Sequence, residues 1–146
     1  MADLTCDGSP LPPLPVDLDM DVHLASVKDL ATLRRRLRAW SDTCGLSDQH
    51  TDDIVMAVDE IVTNALEHGR PPAHVRSWST PEALFVQVDD HGSIRVPVPT
   101  GDHRPATNAR RGRGIWMARA LADVLTMHSG ATGTTVALLF LRPAKL

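Results

Sequence analysis

No apolar run in the sequence approaches the roughly 20 residues needed to cross a bilayer. The N-terminus also lacks the basic, apolar and small-residue succession of a signal peptide. A cytoplasmic protein is therefore expected, with no membrane partner. Cysteine is scarce: Cys6 and Cys44 are the two. Neither has a partner at metal-ligand spacing, which argues against a disulfide framework or a zinc site. Charge of one sign is not in excess. The formal net charge of −3 gives no general pull toward nucleic acid or an anionic membrane. There is no internal repeat and no heptad array. What is present suits a soluble globular protein: 146 residues, 42% hydrophobic and 23% charged. That is one domain with enough chain to bury a core.

Residues 1–16 are proline-rich and read as a flexible or polyproline-like tail ahead of a single domain over 17–146. A proline-motif ligand and a plain tail are both open there. From Asp17 to Ala25, Leu18, Met20, Val22 and Leu24 alternate with polar residues, the pattern of a strand with one buried face. Ser26 is placed to cap a helix running to about Thr43. Val27, Leu30, Leu33, Leu37 and Trp40 form its apolar stripe, and Cys44-Gly45 closes it. The arginines at 34, 35, 36 and 38 lie mostly on the other side, as a solvated face or a docking face.

The segment Ser47 to Gly69, SDQHTDDIVMAVDEIVTNALEHG, organises the chain. Ser47 can cap the first turn, which is rich in acids that favour a helix N-terminus. Gly69 stands at the C-terminal end, and Pro71-Pro72 stop continuation. Ile54, Val55, Val58, Ile61, Val62, Ala65 and Leu66 form one apolar stripe. Glu60, Asn64 and His68 stack four residues apart, at roughly 40° per step. This polar column borders the stripe instead of opposing it. A helix with that layout can line a pocket while supporting a core. The same spacing also describes a solvated pair. Asparagine is a poor interior helix former, which hints at a task for Asn64.

Strands are expected over Ala73 to Ser79 and Ala83 to Asp90, joined by Ser79-Thr80-Pro81-Glu82. The second ends in Asp89-Asp90-His91-Gly92, either a plain turn or a ligand-binding one. Ser93 to Arg111 is long enough for a functional lid. Gly112-Arg113-Gly114 reads as a glycine-rich loop opening the helix IWMARALADVL, where backbone N–H groups could meet phosphate. A strand from Val124 to His128, a turn and a strand over Thr134 to Leu141 complete the order β-α-α-β-β-lid-α-β-β. That order implies a two-layer α/β sandwich: a mixed, mostly antiparallel sheet of about five strands with three helices on one face.

Four segments in this order resemble the GHKL, or Bergerat-fold, ATP-binding superfamily. Its members include gyrase, heat-shock chaperone, histidine kinase and mismatch-repair ATPases. The DEIVTNALEH segment resembles the N-box, and Val88-Asp89-Asp90-His91-Gly92 the D-x-G box. Gly112-Arg113-Gly114-Ile115 resembles the second glycine box, and Gly133-Thr134-Thr135-Val136 the final G-T-x-V strand. Within the superfamily the chain most resembles bacterial anti-sigma factor serine/threonine kinases and their stand-alone relatives. The likeness covers about Asp17 to Leu141.

The resemblance implies roles. Asn64 would ligate Mg²⁺ bridging the phosphates of ATP, and Asp90 would accept from the adenine amino group. Gly92 would leave room for the base. Gly112 and Gly114 would offer N–H groups to phosphate, with Arg113 and Ile115 in the same box. Thr134 would support the adenine site through a water shared with Asp90. Glu60 would be the general base for a Ser or Thr hydroxyl of a partner protein. His68 would touch phosphate or brace the lid. The implied partners are an anti-sigma factor antagonist and a sigma factor, with a homodimer as a further expectation.

Two departures stand out. A glycine usual two residues after the first glycine box is Ile94 here. The chain also carries no phospho-accepting histidine domain, dimerisation helix pair or transducer domain, which weighs against a complete sensor kinase, topoisomerase or hydrolase. Besides a kinase, the same residues allow a non-catalytic module gated by ATP, or a degenerate relative that binds no nucleotide.

Overall fold

The computed structural model describes residues 11–92 and 110–143. The first ten residues of the expected tail and nearly all of the expected lid lie outside them. The elements run β1 (Met20–Leu24), α1 (Leu30–Thr43), α2 (Asp48–Glu67), β2 (Ala73–Ser79), β3 (Ala83–Asp90), α3 (Arg110–Leu121), β4 (Val124–Gly130) and β5 (Gly133–Leu141). A 3₁₀ turn at Val27–Asp29 precedes α1. The five strands form one sheet in the order β1-β2-β3-β5-β4. Every pairing is antiparallel. The expected two-layer sandwich is thus observed, and no parallel pair occurs among the described residues.

Local chemistry explains the boundaries. The Ser26 side chain accepts from the Lys28 backbone N–H, while Asp29 accepts from the N–H of Ser26, a complete capping box. The first turn is therefore 3₁₀, and Val27, expected in the buried stripe, is half exposed. Gly45 follows α1 at φ +78°, a left-handed position that glycine fills without a Cβ clash. Ser47 caps α2 by accepting from His50 N–H at 3.2 Å. The stripe of α2 is buried as its periodicity requires, with Ile54, Ala57, Val58 and Val62 fully enclosed. Arg34 and Arg38 of the arginine run reach α2 and pair with Asp59 and Asp52, each at 2.8 Å. Between the two helices a buried Ser41 hydroxyl meets that of Thr51 at 2.6 Å, which satisfies both polar groups inside the core.

Alternation along the strands sets the inner face. Val75, Leu84, Val86 and Val88 of β2 and β3, with Leu125, Met127, Val136 and Leu138 of β4 and β5, join the helix residues in one core. The opposite face carries the stacked Trp78 and Phe85 rings, 5.3 Å apart, with Pro12 to Pro15 beside them. Helix α3 ends at Leu121, earlier than its apolar pattern suggests. Leu125 belongs to β4, because Asp123 is held by β5: its N–H donates to Leu139 O at 2.9 Å, and its carboxylate accepts from Leu141 N–H at 2.7 Å.

Candidate functional site

Helices α2 and α3 meet at Gly114. A Cβ there would stand 3.0 Å from Glu60 Oε2 and 3.3 Å from Asn64 Nδ2. Gly114 therefore lets α3 approach the polar column of α2. This corrects one expectation. Gly112 and Gly114 are the third and fifth residues of α3, which starts at Arg110, so the segment is helix and not a loop before a helix. Packing overrides the low helix propensity of glycine here. The Arg113 side chain lies outside what the structure describes.

Asp90 closes β3, one strand away from α2 in the layer below. Its Oδ1 accepts from Gly92 N–H at 2.6 Å, and His91 N–H donates to Arg70 O at 3.1 Å. The end of β3 is thus tied to the turn after α2. Gly69 and Gly92 make that contact possible. A Cβ on Gly92 would lie 2.7 Å from Gly69 Cα, and one on Gly69 would lie 2.7 Å from both Ala65 O and Asp90 Oδ1. Glycine at 92 is required by neighbouring backbone, which leaves no space for a Cβ. Gly69 likewise serves close packing, since among described residues only Gly45 and Gly133 have positive φ.

The register of β3 with β5 places Thr134 opposite Asp90. Thr134 Oγ1 donates to Gly92 O at 2.8 Å and lies 2.9 Å from Ser129 Oγ. Gly133, at φ +147°, has its absent Cβ only 2.2 Å from Asp90 O. Asp90, Gly92 and Thr134 are therefore one hydrogen-bonded cluster at the end of the sheet.

These parts enclose a cavity. Asn64, Asp90 and Thr134 supply its polar groups, and Ile61, Val88, Ile115, Met127 and Val136 are among its apolar walls. A few convergent polar groups in an apolar cleft are the usual make-up of a small-molecule site. Its narrow inner part holds about 20 Å³, room for about one water, and it is partly open to the surface. A second, wider groove of about 450 Å³ lies between α1, α2 and α3, with Arg34, Asp59, Glu60, Asn64, Glu67 and Gly114 on its sides. The bond to Asp59, then that carboxylate's charge, pushes the Arg34 guanidinium above its ordinary value. Asn64 lines both spaces and stands at their junction.

Most of the expected site residues come together: Glu60, Asn64, Asp90, Gly114, Ile115 and Thr134. His68 does not join them. It caps the end of α2, is exposed, and lies 3.9 Å from the Glu67 carboxylate. Sequence reading missed Met127 and Ser129, which belong to no motif and are brought in only by the β4–β5 pairing.

The chain belongs to the histidine kinase-like ATPase domain family, which residues 24–140 match. Among solved structures it is similar to the RsbU and RsbW domains of Rv1364c from Mycobacterium tuberculosis, at 27% identity and a TM-score of 0.64. That match covers 94% of this chain and 35% of the other. It is also similar to the histidine kinase domain of the blue-light activated histidine kinase EL346 from Erythrobacter litoralis, at 25% identity and a TM-score of 0.51. That match covers 76% of this chain and 63% of the other. The chain thus spans about a third of the first and under two thirds of the second. No described helix is long and apolar enough to cross a membrane.

Proposed function

We propose that the protein is a cytoplasmic anti-sigma factor with serine/threonine kinase activity, which uses Mg-ATP to phosphorylate an anti-sigma factor antagonist. A sigma factor is the second proposed partner. The observation that carries this reading is the position of Asn64. It lines the smaller cavity with Asp90 and the wider groove with Glu60. A nucleotide with its base at Asp90 and its phosphates beside Asn64 would present its terminal phosphate toward that groove.

The residues suit such a ligand. The Asp90 carboxylate can accept from the amino group of adenine, whereas guanine presents a carbonyl there. An amide oxygen at Asn64 suits a hard cation that keeps several of its waters. Mg²⁺, when bound, supplies neutralisation of phosphate charge. Glu60 would accept the proton of a Ser or Thr hydroxyl entering along the groove, as that oxygen attacks the γ-phosphorus. Positioning and charge neutralisation supply most of the catalysis in phosphoryl transfer, and Glu60 supplies the proton acceptor. The match of residues 24–140 to a histidine kinase-like ATPase domain supports a kinase or ATPase reaction.

Incubation with Mg-ATP and a candidate antagonist should transfer the γ-phosphate to a Ser or Thr. Glu60→Ala should cut transfer by about 10²–10⁴-fold and leave Mg-ATP affinity nearly unchanged. Undiminished transfer in that variant would remove Glu60 from the mechanism.

A second reading is a non-catalytic module in which ATP only orders the segment between β3 and α3 and so gates a protein interface. Binding of ATP to the folded state raises the unfolding temperature by mass action. A Mg-ATP thermal shift without phosphate transfer to any antagonist would select this module.

A further inference from the structure

We propose that Asp21, His23 and His74 form a binding site for a divalent transition-metal ion of the imidazole-binding class, with zinc as the best match. The site lies at the β1 edge of the sheet, on the face away from the helices. It is separate from the nucleotide site and does not depend on it.

The strand geometry builds the cluster. Asp21 and His23 are two residues apart on β1 and so point to one face. Antiparallel pairing sets His74 of β2 directly opposite His23. The two imidazoles stack with centroids 4.0 Å apart and planes within 12°. His74 Nε2 lies 2.5 Å from Asp21 Oδ1. Among the described residues this is the group of His, Cys, Asp and Glu that brings three ligand atoms within 4.8 Å of one another.

The cysteine spacing argued against a zinc site, but these donors are a different set, with His74 standing 53 residues beyond Asp21 in the chain. Two imidazoles and a carboxylate suit zinc, and three protein ligands leave the fourth tetrahedral position for water. Zinc bonds of about 2.0–2.2 Å at tetrahedral angles put ligand atoms about 3.4 Å apart. His74 and Asp21 must therefore separate by about 0.9 Å, and the widest pair must close by at most about 1.4 Å, given the distances above. A metal lies in the plane of each imidazole it binds, so the two stacked rings must also turn out of parallel; side-chain rotation can do all of this, because Asp21 and His74 are 51% and 25% exposed. Arg76 stands opposite Asp21 in the strand register, and its charge is matched by Asp89, 2.5 Å from Arg76 Nη2. A plain Asp–His pair with a ring stack would make the same contacts without a metal, so the experiment must separate the two.

The full chain, stripped with chelator and free of nucleotide, should be titrated with Zn²⁺ by calorimetry. One saturable site per chain is expected. Co²⁺ at the same site should show the visible bands of tetrahedral coordination, and Zn²⁺ should bleach them. His23→Ala, His74→Ala and Asp21→Asn should each weaken Zn²⁺ at least tenfold. His50→Ala, on α2, should leave it unchanged. Zn²⁺ should raise the unfolding temperature of the parent but not of the three variants, each of which should still show a cooperative unfolding transition of its own. Absence of saturable binding, or binding indifferent to both His23→Ala and His74→Ala, would overturn the proposal.

Discussion

Replacing Gly114 by Ala separates fold from function. Glycine inside a helix costs about 0.8–1.0 kcal/mol relative to alanine, so the change alone stabilises α3. The new Cβ would stand 3.0 Å from Glu60 Oε2 and 3.3 Å from Asn64 Nδ2, inside ordinary carbon contact distances of about 3.5–4.0 Å. Both neighbours are side-chain ends, which give way by a few tenths of an ångström at a cost of about 1 kcal/mol. The two effects nearly cancel, and urea unfolding should change by less than about 1 kcal/mol. The displaced groups, however, are the proposed metal ligand and proton acceptor. A hydrogen bond to a charged group is worth about 1.5–3 kcal/mol, so weakening the contact at Asn64 should lower Mg-ATP affinity about tenfold, or about 1.4 kcal/mol. Calorimetry and urea unfolding on one preparation read both quantities. Unchanged affinity at unchanged stability would refute the placement of Asn64 against the nucleotide. A loss above about 3 kcal/mol would refute the view that the neighbours can yield.

Three further substitutions test the frame around the site. Gly133→Ala forces a side chain into positive φ and within 2.2 Å of Asp90 O, where only backbone can move; urea unfolding should show a loss of about 3 kcal/mol or more. Gly69→Ala drives a Cβ into Ala65 O and the Asp90 carboxylate, so stability should fall by about 2 kcal/mol and nucleotide affinity should fall with it in calorimetry. Trp40→Phe removes the indole N–H bond to Asp19 Oδ2 at 3.0 Å and should cost about 1 kcal/mol in chemical denaturation.

Much of this architecture can be read from local pattern. The stop at Pro71-Pro72 and the turn Ser79 to Glu82 mark β2 and β3 to the residue, and Ser47 marks the start of α2. Regions where tertiary contact overrides local preference cannot be read that way. Glycines at 112 and 114 look like a loop because glycine disfavours helix, yet α3 runs through them to reach α2. Gly69 and Gly92 carry ordinary turn signals, and only folding shows that their backbones touch. Asn64, Asp90 and Thr134 are each visible in a motif, but their meeting depends on β5 pairing with β3, a long-range choice with no local signal. The Asp21, His23 and His74 cluster is hidden for the same reason: cross-strand register brings in His74.

The central claim is that Asn64 and Asp90 hold opposite ends of one adenine nucleotide. Calorimetric titration of ATP and GTP, with and without Mg²⁺, into the parent, Asn64→Ala and Asp90→Ala tests it most directly. The account predicts that Asn64→Ala loses the Mg²⁺ enhancement but still prefers ATP to GTP, and that Asp90→Ala loses that preference. Equal ATP affinity and unaltered base preference in both variants would contradict it.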